Sequence, residues 1–236
     1  MARTTFLKRY LSGLAALLFP ECCHACNRPL CAGEVVICTH CAYELPRTDF
    51  HLQAVNPVSR LFWGRVDIAA ASAYYTFQKG SRVQQLIHRL KYKGHTEIGL
   101  LVGKMYGREL LKAEAFRKIT QIIPVPLHAR KLKMRGFNQS ECFAEGISEA
   151  LGVPVNQHIL VRGKETGTQT RKSRFSRWRN VESGFYLTSP DELKGQRVLL
   201  VDDVVTTGAT LEACAKTLLE VEGTTVCIAA MAVAVL

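Results

Sequence analysis

The chain carries two hydrophobic rhythms. Short, mainly apolar runs, rich in β-branched residues, stand at 119–125, 198–201 and 224–236. Such runs read as strands buried on both faces of a parallel sheet. Apolar residues recur at helical spacing over 83–93, 98–111, 139–151 and 211–219, and these stretches predict amphipathic helices. Gly94 stops the first of them. The small and aromatic stretch 69–77 predicts a strand or hairpin, and the residues before it, to about Gly64, lack periodicity and read as a linker.

One stretch combines both rhythms. The run Val198-Leu199-Leu200-Val201 leads into Asp202 and Asp203, then a hydroxyl-rich turn, then the helix from Leu211. This is strand, turn, helix, with its polar groups at the carboxyl end of a parallel strand, where ligands of open α/β sheets bind. The turn Val205-Thr206-Thr207-Gly208-Ala209-Thr210 offers a phosphate the backbone N–H groups and the positive dipole end of a helix. Thr206, Thr207 and Thr210 add hydroxyl donors. No lysine follows the glycine, so the turn is not the GxxxxGK[ST] loop, and GxGxxG is missing too. Adjacent carboxylates would repel a polyphosphate, yet they accept hydrogen bonds from a vicinal diol or touch a hydrated divalent cation. Diol plus phosphate describes a ribose 5-phosphate. The bland alternative is an acidic turn whose threonines cap a helix.

Two basic stretches accompany it. After the strand 119–125, expected to run parallel to the 198–201 strand, a loop carries Arg130, Lys131, Lys133, Arg135 and Gly136. A basic, Gly-ended loop entering a helix can bind anions; a solvated basic turn is the competing reading. The polar segment 160–184 carries Arg162, Arg171 and Arg177 among its cations, and a loop of this length inside a compact domain is a functional lid or disordered. Lys91 and Lys93 can reach into a site, but they read first as a solvated helix face.

The amino-terminal part has different chemistry. Cys23/Cys26 and Cys38/Cys41 form two CxxC pairs, and four thiolates satisfy tetrahedral zinc in a closed, structural site. Cys22, Cys31, His24 and His40 compete as ligands. Two disulfides are the alternative, but the remaining cysteines sit in apolar contexts, which fits a reducing cytoplasm. The apolar run 6–19 is shorter than the roughly 20 residues a membrane span needs. It reads as a docked amphipathic helix rather than a stable span, with membrane association as the alternative. A hydrophobic content of 47% is that of a globular protein, while a net charge of +11 points to a polyanionic partner.

At 198–210 the chain resembles type I phosphoribosyltransferases. The cysteine knuckle, Pro124-Val125-Pro126 with Arg135-Gly136-Phe137-Asn138-Gln139, the segment from Arg162 through Thr166, Gln169 and Arg177 to Asn180, and the Asp202 motif follow the order seen in the ComF/GntX family. The resemblance implies a Rossmann-like α/β core, a parallel sheet flanked by helices, with an N-terminal four-cysteine zinc knuckle. It implies a knuckle region at 1–50, a linker and hood region at 51–118 and a phosphoribosyltransferase-like core at 119–236. It further implies that phosphoribosyl pyrophosphate binds with Mg2+, with Asp202 and Asp203 as the catalytic pair on the ribose hydroxyls. Residues 205–210 would hold the 5-phosphate, and Arg130, Arg135, Arg162, Arg171 and Arg177 the pyrophosphate. The family is linked to DNA uptake and competence, so single-stranded DNA or a DNA-uptake helicase is a further expected partner. A non-catalytic scaffold that binds one of these is the rival to an enzyme.

Overall fold

The computed structural model describes residues 20–163, 179–180 and 184–234. The run 6–19, Arg171, Arg177 and most of the expected lid lie outside the described residues. Two compact units divide the chain, Met1–Leu45 and Pro46–Leu236.

In the first unit the chain makes two tight turns, each built on a CxxC pair. Asn27 adopts φ 65° directly after the first pair, a conformation that asparagine tolerates better than most residues with a side chain. Helix α1, Thr39–Glu44, opens inside the second pair, with Cys38 as its N-cap.

The second unit begins with the short helix α2, Pro57–Arg60. Asn56 caps it by accepting from Val58 N and Ser59 N, and Ser59 bonds back to the Asn56 amide, a complete capping box. There follow β1 (Ala70–Phe77), α3 (Arg82–Tyr92), α4 (Thr96–Leu110), β2 (Gln121–Pro124), α5 (Ala129–Arg135) and α6 (Gln139–Leu151). The chain continues with β3 (Leu160–Arg162), β4 (Arg179–Asn180), β5 (Phe185–Leu187), β6 (Arg197–Val205), α7 (Ala209–Leu219) and β7 (Thr225–Ala234).

Among the described residues β1, β7, β6 and β2 form a parallel sheet in that order, and β3, β5 and β4 form a small antiparallel one. The crossovers put β6 inside the sheet. Val198, Leu199, Leu200 and Val201 are fully buried, and burying an apolar side chain of this kind contributes about 1.5–3 kcal/mol. β2 does pair parallel with β6, ending with Pro124 opposite Val201. The stretch 51–118 supplies β1 to the same sheet as β6 and lies in the same compact unit as 119–236. The apparent lack of periodicity near residue 60 reflects a helix of one turn, too short to display a period.

Helices α4 and α6 touch through small residues. Gly99, Gly103 and Gly107 face Cys142, Gly146 and Ala150. A Cβ on Gly103 would stand 2.2 Å from the Phe143 carbonyl oxygen, and one on Gly146 would stand 2.1 Å from that of Leu100. The backbones are therefore in direct contact, and α4 sets the position of α6.

No helix among the described residues is long and apolar enough to cross a membrane.

Candidate functional site

In the first unit, the Sγ atoms of Cys23, Cys26, Cys38 and Cys41 all lie within 4.8 Å of one another. Cys26 and Cys38 are 3.8 Å apart. A tetrahedron with Zn–S bonds of about 2.3 Å has S···S edges of about 3.8 Å, so the four thiols fit zinc. Backbone amides support the charged form: Cys38 N donates to Cys23 Sγ at 3.2 Å and Cys41 N to Cys38 Sγ at 3.4 Å. Burial pushes the Cys23 thiol up, but amide hydrogen bonds from Cys38, Cys26 and Ala25 hold it down at about 7. Three of the competing ligands are elsewhere. Cys22 Sγ points to the Pro20 carbonyl at 3.4 Å, Cys31 is exposed, and His40 pairs with Glu44 at 3.0 Å. Glu34 accepts from Cys31 N and Thr39 N, tying the loop to the start of α1.

In the second unit, Asp202 and Asp203 lie within β6 rather than beyond its end: β6 continues to Val205, paired with Val233 of β7. The opening comes from the other side, because β2 stops at Pro124. From Asp202 onward β6 has a free flank there, which the start of α6 fills. Asn138 caps α6 by accepting from Ser140 N at 3.1 Å, and its Nδ2 donates to Val125 O at 3.0 Å. Ser140 Oγ then donates to Asp202 Oδ1 at 3.0 Å, and Asp203 N donates to the same oxygen at 2.8 Å. Burial, reinforced by the Asp203 charge, raises the Asp202 carboxyl to about 7 despite these donors and nearby Lys91.

Strand residues alternate in direction, so the two carboxylates diverge. Asp202 lines a small cavity of about 50 Å³ with Val204, Val205, Thr206, Thr207, Gly208, Ala209, Thr210 and Leu211. Asp203 is buried and meets Lys91 of α3, Nζ to Oδ1 2.9 Å. Its Oδ2 is buried without a hydrogen-bond partner among the described residues. The buried, unpartnered Asp203 oxygen suits a hard cation such as Mg2+.

The turn between β6 and α7 is set by Gly208, at φ 75°. That left-handed geometry favours glycine, and the Phe62 ring stands 3.2 Å from where a Cβ would be. Arg65 braces the turn from behind, donating to the Thr207 carbonyl at 3.0 Å and pairing with Glu212 in the first turn of α7. Thr206, Thr207, Ala209 and Thr210 are exposed. Thr207 Oγ1 accepts from Ala209 N at 3.4 Å, and Gly208 provides no side-chain cap. The result is a helix N-terminus open to an anion.

The structure handles the expected arginines differently. The basic stretch after β2 is a short helix, α5, not a loop, capped by His128 and ended by Gly136 at φ 81°. Arg130 is exposed on it. Arg135 donates to Gln139 Oε1 at 2.8 Å and lies 5.1 Å over the Tyr92 ring. Arg162 stacks 5.3 Å over Phe185 of β5. Sequence reasoning missed three residues that build the site and placed a fourth on a solvated helix face. Ser140 follows the Asn-Gln pair at a helix start, which was a usable signal. Phe62 and Arg65 sat in a supposed linker, and for Lys91 the charged-face pattern of α3 outweighed its reach into a site.

Residues 138–234 match the family described as phosphoribosyl transferase domain. The chain is 31% identical over 223 residues to the DNA utilization protein YhgH of Shigella flexneri, covering 86% of this chain and 92% of that protein. It is 34% identical over 137 residues to Competence protein F of Haemophilus influenzae, over 56% of this chain and 60% of that one. Among solved structures it is similar to the Bacillus subtilis glutamine phosphoribosylpyrophosphate amidotransferase, with 20% identity, a TM-score of 0.42 and coverage of 61% of this chain and 30% of that. With 31% identity across 86% of its length to the first of these relatives, and the phosphoribosyl transferase domain match spanning the acidic pair and its turn, the chain belongs to the ComF-type phosphoribosyltransferase-like family.

Proposed function

We propose that this protein binds phosphoribosyl pyrophosphate with Mg2+ and acts as a phosphoribosyltransferase in DNA uptake, in the cytoplasm. The observation that carries the reading is the join between β6 and α7, where a carboxylate and an anion-receptive turn share one cavity. Amides at the start of α7 and the hydroxyls of Thr206, Thr207 and Thr210 hold the 5-phosphate. Asp202 accepts from the ribose hydroxyls, its orientation set by Ser140. Asp203 supplies the second carboxylate. Arg130, Arg135 and Arg162, with Arg171 and Arg177 of the basic segment, neutralise pyrophosphate. Bound Mg2+ would screen the pyrophosphate charge. The catalysis is then positioning and electrostatics.

The cysteine cluster holds one structural zinc in the same reading, supported by its S···S spacing.

Calorimetric titration of the full chain with phosphoribosyl pyrophosphate and Mg2+ tests the proposal. Saturable, Mg2+-dependent binding is expected; no binding at millimolar ligand defeats it.

A second reading draws on the relatives' names, DNA utilization protein and Competence protein F, and on the net charge of +11. In it the fold is a scaffold for single-stranded DNA or a helicase. Such binding weakens steeply with salt and needs no Mg2+, which separates the two.

A further inference from the structure

Lys91 plays no part in the reading above, yet it makes an ion pair with one of the two carboxylates. It leaves the last turn of α3, and its side chain is 21% exposed against 6% for Asp203. A pair this sheltered is screened far less than one on the surface. The same helix end is held independently, by Tyr92 under Arg135. Lys91 can therefore leave Asp203 by rotating its own flexible stem, with no movement of α3.

The consequence is a matter of charge. Two carboxylates alone would attract any divalent cation, whereas a fixed ammonium 2.9 Å from one of them opposes it. Among the described residues Asp203 Oδ2 nonetheless stays unpartnered, so the pair retains a vacant acceptor for an incoming group.

We propose that Lys91 is the internal counter-cation of the acidic pair: it occupies Asp203 in the ligand-free protein, excludes free divalent cations, and yields when a phosphorylated sugar arrives with its metal. The displacing ligand rests on the ribose-phosphate reading; the exclusion of free cations does not.

The test is Mn2+ binding to the full-length protein without sugar phosphate, read by electron paramagnetic resonance. Removing one unit of positive charge beside the carboxylates should tighten Mn2+ binding by about tenfold or more in Lys91→Met. Lys91→Arg should behave as wild type. Lys91→Met combined with Asp203→Asn should lose the gain. If Lys91→Met binds Mn2+ no more tightly than wild type, the proposal is overturned. Should the methionine variant fail to fold, Lys91→Gln removes the same charge, and the same comparison decides. Titrating wild type with phosphoribosyl pyrophosphate is a separate arm. Failure there removes the ribose-phosphate reading, while the Mn2+ series still decides the role of Lys91.

Discussion

Ser140 Oγ and Asp202 Oδ1 lie 3.0 Å apart, a hydrogen bond joining the first turn of α6 to the middle of the sheet. The residues are far apart in sequence, yet this bond orients the carboxylate that lines the cavity. Ser140→Ala removes a donor that favours the charged carboxylate. A hydrogen bond to a charged group is worth about 1.5–3 kcal/mol, so affinity for phosphoribosyl pyrophosphate with Mg2+ should fall by roughly tenfold. Calorimetry at pH 7 measures it, with Ser140→Thr expected to restore most of the loss.

The raised Asp202 carboxyl makes stability depend on pH. Its folded value, about 7, lies above the ordinary 3.8, so the native protein holds a proton that the unfolded chain has released. The stabilisation from this group is complete below about pH 4 and is lost as pH rises through 7. Asp202→Asn should flatten that part of the profile. Thermal melts of both proteins from pH 5 to 8 give the comparison; parallel curves would mean that Asp202 titrates normally.

Asp203→Asn keeps the shape of the side chain but removes its charge. Ligand affinity should drop by about tenfold or more, as for loss of a charged hydrogen bond. Thr207→Val should cost less, because the α7 amides still hold the phosphate. If both variants bind like wild type, the carboxylate and threonine assignments are wrong.

Gly146→Ala forces a methyl group to 2.1 Å from the Leu100 carbonyl oxygen, where only backbone can give way. Overpacking of this kind costs about 1–3 kcal/mol, occasionally more. Urea unfolding should show the loss. Ligand affinity should fall as well, since α6 carries Ser140.

Elemental analysis of protein purified without chelator should find about one zinc per chain. Cys23→Ser should release it and loosen the knuckle while the second unit stays folded. Cys22→Ser and Cys31→Ser should retain the metal, as their sulfurs lie outside the cluster. Metal loss in either would redraw the ligand set.

How much of this was legible follows from the range of the forces involved. The β6–turn–α7 unit could be read from sequence because its determinants are local: a buried run, a glycine at φ 75° and a helix repeat are consecutive in the chain. The cysteine pairs were legible for the same reason, since each spacing closes a single turn. The tertiary structure chose among equals. It selected Cys23 over Cys22, because the direction of each Sγ depends on the knuckle fold and not on spacing. It turned the supposed linker into the Phe62 and Arg65 brace. It also brought Lys91 to Asp203 and Ser140 to Asp202, by ending β2 early and packing α4 onto α6 through glycines. Sequence alone determined which backbone segment receives an anion. Which side chains surround the carboxylates was decided by the crossovers that bring distant elements to one strand, and no local period encodes those.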